Sequence, residues 1–202
     1  MNWYDRTIKT YDKSADKLAD FYRGIGPRLK DIKFALKLAN VSKNARVIEL
    51  GCGDGRDAIE IIKLVAWYEG IDPSKGMLKI ARASSPGASF VLADALTYNY
   101  PKHIDVIFAF ASLLHVKKDD LPKVFEKCAR SLKIGGIFYI SLKERDTYTE
   151  DIVKDDYGER MFYYYNVDLI TQLAANLFEP IYIDHQIKGH TAWFTIALKR
   201  NK

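Results

Sequence analysis

Residues 46–58 read RVIELGCGDGRDA: an apolar run, three alternating glycines, and acids laced among them. The order is that of a strand turning sharply into a helix. Glycine-rich turns of this kind commonly bring backbone N–H groups to a phosphate. This one carries Glu49, Asp54 and Asp57, which repel a pyrophosphate and suit a ligand bearing positive charge. The dinucleotide fingerprint G-x-G-x-x-G is broken, because Arg56 stands where its third glycine belongs, and no Gly-Lys-Ser/Thr follows to make a P-loop. A ligand with an ammonium, a sulfonium and a ribose, and no phosphate, fits these charges.

Around this loop the chain alternates. β-rich runs occur at ARVIEL, WYEGID, ASFVLAD, IDVIFAFA and GGIFYISL. Between them RDAIEIIKLV, DPSKGMLKIARAS and DDLPKVFEKCARSL repeat apolar residues at helical spacing. Strand–helix alternation implies an α/β fold with a parallel sheet and helices on both faces. After the helix VDLITQLAANLF the character changes. IYIDHQI and AWFTIALK are joined only by KGHT, which permits an antiparallel hairpin alone. The expectation is seven strands, mostly parallel, with the last reversed. In open α/β sheets ligands sit beyond the carboxyl ends of the strands, which selects the loops after residues 50, 71, 92 and 110.

The length, 202 residues, suits one domain over 1–202. Two helices at about 13–22 and 28–40 are expected to form an N-terminal helical cap over 1–40. Residues 144–166 read as an insertion after the fifth strand. They are polar first and then aromatic, through Phe162, Tyr163, Tyr164 and Tyr165. They form either a buried strand-like edge or a lid lining an acceptor pocket with Tyr163, Tyr164 and, at its mouth, Arg160. The cysteines, Cys52 and Cys128, make no disulfide framework, and no Cys/His cluster suggests a metal. The net charge of +5 comes mainly from scattered Lys without interleaved aromatics, so nucleic acid is not the favoured partner. No apolar run is long enough to span a bilayer and the first residues lack a signal-peptide core, so a cytoplasmic protein with no membrane partner is expected, monomeric or homodimeric.

VIELGCGDG resembles the first motif of class I S-adenosylmethionine-dependent methyltransferases, E/D-x-G-x-G-x-G at the end of the first strand. The resemblance extends through YEGIDPSKGMLKIAR, FVLADAL, IDVIFAFASLLHV and ARSLKIGGIFYIS, in that order. It implies a Rossmann-like sheet, S-adenosyl-L-methionine as cofactor and S-adenosyl-L-homocysteine as product. Carried over by position, it implies a cofactor site of Tyr11, Glu49, Gly51, Cys52, Gly53, Asp72, Pro73, Met77, Asp94, Ala95 and Phe110. Gly51 and Gly53 admit the methionine part, and Glu49 accepts from its ammonium. Asp72 takes the ribose hydroxyls, Asp94 with the Ala95 backbone reads the adenine edge, and Met77 with Ile71 flanks the ring. Tyr11 closes over the cofactor from the N-terminal cap. Asp54 and Asp57 are either ammonium partners or helix N-terminal acids favoured by the dipole.

Methyl transfer from a sulfonium is an in-line displacement that requires alignment, exclusion of water and sometimes a base. His115, in the loop after the fourth strand, is the candidate base, with a structural role as its alternative. The Asn/Asp/Ser-Pro-Pro-Tyr/Phe tetrapeptide of amino-methylating nucleic-acid enzymes is missing there, and no Pro-Cys pair is present to attack a pyrimidine. A small-molecule acceptor leads. An RNA or protein methyltransferase, or a non-catalytic cofactor-binding subunit, is the alternative.

Overall fold

The computed structural model describes residues 2–201. Its main sheet contains strands β1 (Arg46–Leu50), β2 (Trp67–Asp72), β3 (Ser89–Leu92), β4 (Ile104–Phe110), β5 (Leu132–Lys143), β8 (Phe178–Lys188) and β9 (Thr191–Arg200), in the order β3-β2-β1-β4-β5-β9-β8. The first five are mutually parallel and β9 runs antiparallel to both β5 and β8. The expected seven-stranded sheet with its reversed last strand is therefore present. Gly189 turns the β8–β9 hairpin at φ +61°, a left-handed value that glycine adopts at no steric cost.

Successive residues of the central strands feed two separate cores, as the two-residue period of a strand requires. Val47, Val106, Ile137 and Ala197 face one side, with α3 (Leu29–Leu38), α4 (Ala58–Ile61) and α5 (Lys75–Ser84). Ile48, Ile107, Phe138 and Ile196 face the other, with α6 (Leu121–Ser131) and α7 (Val167–Ala174).

The N-terminal segment departs from expectation. It holds three helices, α1 (Trp3–Lys13), α2 (Ala15–Ile25) and α3, where two were read. Ile32 and Ala35 of α3 are wholly buried in the sheet-face core, so α3 is a layer of the sheet. α1 and α2 lie instead against α5, where Ala15 and Leu18 pack with Met77. Residues 144–166 are also more ordered than a lid loop. They form β6 (Thr149–Asp155) and β7 (Gly158–Tyr164), an antiparallel hairpin outside the main sheet. Phe162, Tyr163, Tyr164 and Tyr165 are all buried in the α6/α7 core, the strand-like alternative of the two readings.

α1 is stitched to this hairpin along one face. Thr7 Oγ1 accepts from Met161 N, and the hydroxyls of Thr10 and Ser14 donate to the carbonyls of Glu159 and Tyr157. No helix among the described residues is long and apolar enough to cross a membrane.

Candidate functional site

The chain runs outward from β1 through β2 to β3, then returns to place β4 on the other side of β1. A cleft opens beyond the strand ends at that reversal, where such sheets bind ligands. It measures about 1010 Å3 including its mouth. All eleven residues expected at the cofactor, together with His115, Asp54 and Asp57, line it.

The loop after β1 is held by β2. The amides of Gly51 and Cys52 share the Ile71 carbonyl at 2.8 and 2.9 Å, and Gly53 N donates to Asp72 Oδ2 at 3.0 Å. Gly51, Gly53 and Gly55 all take positive φ, between 56° and 78°. At Gly51 a Cβ would also fall 2.3 Å from Ser112 Cβ. This glycine is thus required by the protein's own β4 loop as well as by any ligand. At Gly55 a Cβ would press on Ala81 of α5 at 3.1 Å, so the third glycine serves close packing of the loop on that helix.

The acids diverge in state. Glu49 is buried and accepts the Tyr68 hydroxyl at 2.6 Å. Burial, then the Asp57 charge, push its carboxyl up to about 8. Asp72 receives backbone N–H groups on both oxygens, from Gly53 and from Ser74 at 2.8 Å. Burial outweighs them and lifts its carboxyl to about 6. Asp94 accepts from the amides of Leu96 and Thr97 and from the Thr97 hydroxyl, which fixes its carboxylate at the cleft edge beside Ala95.

Asp57 occupies the N-cap position of α4 but makes no capping bond. Its carboxylate takes the backbone N–H and the guanidinium of Arg28, both at 2.7 Å. Neither role open from the sequence, ammonium partner or dipole acid, describes that pairing. Burial pushes the Cys52 thiol up, so it lines the cleft as a small protonated group.

His115 joins the N-terminal helix to the hairpin. Its Nδ1 lies 2.6 Å from the Met161 carbonyl, which only accepts, so Nδ1 carries the proton. Nε2 therefore accepts from the Tyr11 hydroxyl at 2.9 Å. Arg160 stands behind, with Nη1 at 3.5 Å from Tyr11 Oη and its other end paired with Asp155. Burial lowers His115 to about 3, with the Arg160 and Lys143 cations adding to the effect. Both ring nitrogens are engaged and the ring is neutral.

The substrate-pocket trio is not brought to the cleft. Tyr163 stacks on Tyr148, and Tyr164 packs under the Arg145 guanidinium at 3.6 Å. Arg160 reaches the cleft only through Tyr11. Tyr4, Thr7, Tyr22, Arg28, Arg56 and Ser112 do line it and were not singled out from the sequence. Arg56 lay in plain view within the loop, but the others come from segments whose convergence no local pattern signals.

Residues 47–136 match the profile of a family described as a methyltransferase domain. Trans-aconitate 2-methyltransferase of Rhizobium rhizogenes is 31% identical over 113 residues, 55% of this chain and 43% of that protein. The ubiquinone/menaquinone biosynthesis C-methyltransferase of Campylobacter jejuni is 26% identical over 150 residues, 69% of this chain and 61% of its own. The chain thus spans about half the length of these curated relatives. A solved S-adenosylmethionine-dependent methyltransferase of Leishmania major shares the fold, with a TM-score of 0.76 at 18% identity over 98% of this chain and 83% of that one.

Proposed function

We propose that the chain is a class I S-adenosylmethionine-dependent methyltransferase, a reading that the methyltransferase-domain match over residues 47–136 and the curated relatives support, and that it transfers the methyl group of S-adenosylmethionine to a small-molecule acceptor by in-line displacement. The observation that carries the reading is the convergence of three acids, Glu49, Asp72 and Asp94, from the ends of β1, β2 and β3, on one cleft. Carboxylates at Asp72 and Asp94 suit a cationic nucleoside better than a pyrophosphate, and Glu49, held protonated by burial, ionises when a cation comes within reach. The relatives, a trans-aconitate 2-methyltransferase and a C-methyltransferase of ubiquinone/menaquinone biosynthesis, support a small acceptor.

The bound cofactor supplies a methyl group already activated on positively charged sulfur. The protein's task is then to hold, align and dry the site. Asp72, with its two inward hydrogen bonds fixed by the backbone, keeps outward lone pairs for the ribose hydroxyls. Met77 and Ile71 both line the cleft, in keeping with a role flanking the adenine ring. Tyr11 covers the cleft from α1. His115 positions Tyr11, since Nε2 is occupied by that hydroxyl and the ring stays neutral.

Calorimetric titration tests the reading. S-adenosylhomocysteine is expected to bind at micromolar concentration and NAD not to bind. NAD binding, or no binding of S-adenosylhomocysteine, sinks it. Release of S-adenosylhomocysteine on incubation with fractionated metabolite extract then identifies the acceptor.

A further inference from the structure

Charges of two signs stand around the cleft, and the sheet sorts them. Glu49, Asp72 and Asp94 line it from the ends of β1, β2 and β3. Across β4, the last residues of β5 and β8 are Lys143 and Lys188. Ser141 pairs with the cleft-lining Phe110, and Lys143 follows it by two residues, about 7 Å along the strand. β9 runs between β5 and β8, and its Trp193 pairs with Lys143 in the sheet. The Trp193 ring has Lys143 Nζ at 6.0 Å and Lys188 Nζ at 5.7 Å.

Both ammonium groups meet aromatic faces rather than anions. Lys143 Nζ also lies 3.9 Å from the Phe162 ring and 5.8 Å from Tyr164. Neither lysine side chain makes a hydrogen bond or ion pair among the described residues. A ring face engages one side of an ammonium, which carries three N–H donors. The acids whose charges reach the two lysines are engaged elsewhere. Asp155 pairs with Arg160 and Asp151 with Arg145, while Asp31 accepts the Tyr139 hydroxyl and Asp184 the Gln186 amide. Partial burial, then the Arg160 cation, lowers Lys143, and partial burial, then the Arg28 cation, lowers Lys188. An anion between them would offset that repulsion. The lysines also border the cleft: Arg28 and Arg56, which act on Lys188, line it, as does His115, which feels the Lys143 charge.

We propose that the methyl acceptor is an anion whose negative group sits against Trp193, between the Lys143 and Lys188 ammonium groups. The proposal rests on the methyltransferase reading above and names the class of acceptor. Acids on one half of the site take a cationic cofactor and cations on the other half take an anionic substrate, so neither ligand suits the other's place. Lysine is a mobile point charge without the fixed fork of arginine. The geometry therefore admits a carboxylate or a phosphate as the anionic group.

The test separates a small-molecule extract on an anion-exchange resin and assays each pool for release of S-adenosylhomocysteine from S-adenosylmethionine. Turnover is expected from the retained pool. Phosphatase treatment of that pool distinguishes the two sources: turnover that is lost marks a phosphate, and turnover that survives marks a carboxylate. Lys143→Gln and Lys188→Gln are each expected to raise the pool concentration giving half-maximal rate about tenfold. The maximal rate then stays within about threefold, and S-adenosylhomocysteine binding within about twofold, of wild type. Lys123→Gln, at an exposed position of α6, is the control and leaves all three unchanged, and thermal melts show that each variant folds. Turnover from the unretained pool or from no pool, or an unchanged half-maximal concentration in either variant, overturns the proposal. The cofactor reading then stands as long as the wild type binds S-adenosylhomocysteine, and a folded wild type that does not bind it overturns both.

Discussion

Glu49 illustrates what a binding residue costs before its ligand arrives. Its carboxyl is raised from 4.5 to about 8, first by burial, so the folded protein holds a proton that the unfolded chain releases. The stability this proton confers is complete below about pH 4.5 and is lost as pH rises through 8. Glu49→Gln removes that dependence. The variant is expected to be more stable than wild type at pH 8 by about 1–3 kcal/mol, with the difference shrinking toward pH 5, and to bind S-adenosylhomocysteine more weakly. Melting temperatures of both proteins across that range check it, and a gap independent of pH contradicts the account. Asp72 titrates in both proteins and cancels in the comparison. A second residue-scale prediction concerns His115. Gln at that position can still accept from Tyr11 and donate to the Met161 carbonyl. His115→Gln should therefore keep turnover within about tenfold of wild type, whereas loss of a general base costs about 10²- to 10⁴-fold. Turnover of the purified variant decides between them.

At the scale of elements, the cleft is roofed by α1, and α1 is held from two sides. Its hydroxyl-bearing face bonds the β6–β7 hairpin. On another side Asp12 accepts from Gly76 N and Ser74 Oγ, supplying a cap for α5 from a different helix. Gly76 lies so close that an added Cβ would stand 2.8 Å from the Asp12 carbonyl oxygen and 3.0 Å from Ala15 Cβ. Backbone cannot yield as a flexible side chain can. Gly76→Ala is expected to cost about 1–3 kcal/mol through overpacking, lower the melting temperature by several degrees, and weaken S-adenosylhomocysteine binding about tenfold by lifting Tyr11 from His115. Gly24→Ala in α2, where nothing lies within 4 Å of the new Cβ, serves as the control with unchanged affinity. Equal affinities for the two variants would show that the roof does not report on the cleft. The reason α1 escaped the sequence reading is visible here: Thr7 is its one buried residue, and it docks through hydroxyls rather than an apolar stripe. β6 escaped for a related reason, since its residues are mostly exposed and only pairing with β7 makes it a strand.

Over the whole molecule, the features legible in the sequence are those whose physics is local. A strand buried on both faces must be apolar nearly throughout, as in β4, whose one acid, Asp105, is met by the Arg46 amide and Lys133, and a four-residue link must reverse the chain. A glycine loop carrying acids favours a cationic ligand over a pyrophosphate, and that pattern marked acids that line the cleft. What only the tertiary structure decided are the partnerships between charges far apart in the chain. Asp57 goes to Arg28 and makes no capping bond to its own helix. His115 is kept neutral by burial between a roof helix and a hairpin that meet it from 104 and 46 residues away. Tyr163 and Tyr164 turn into the core rather than the cleft. Sequence states which groups carry charge, but burial and the nearest opposite charge determine what each group can still bind, and both are set by how distant segments pack.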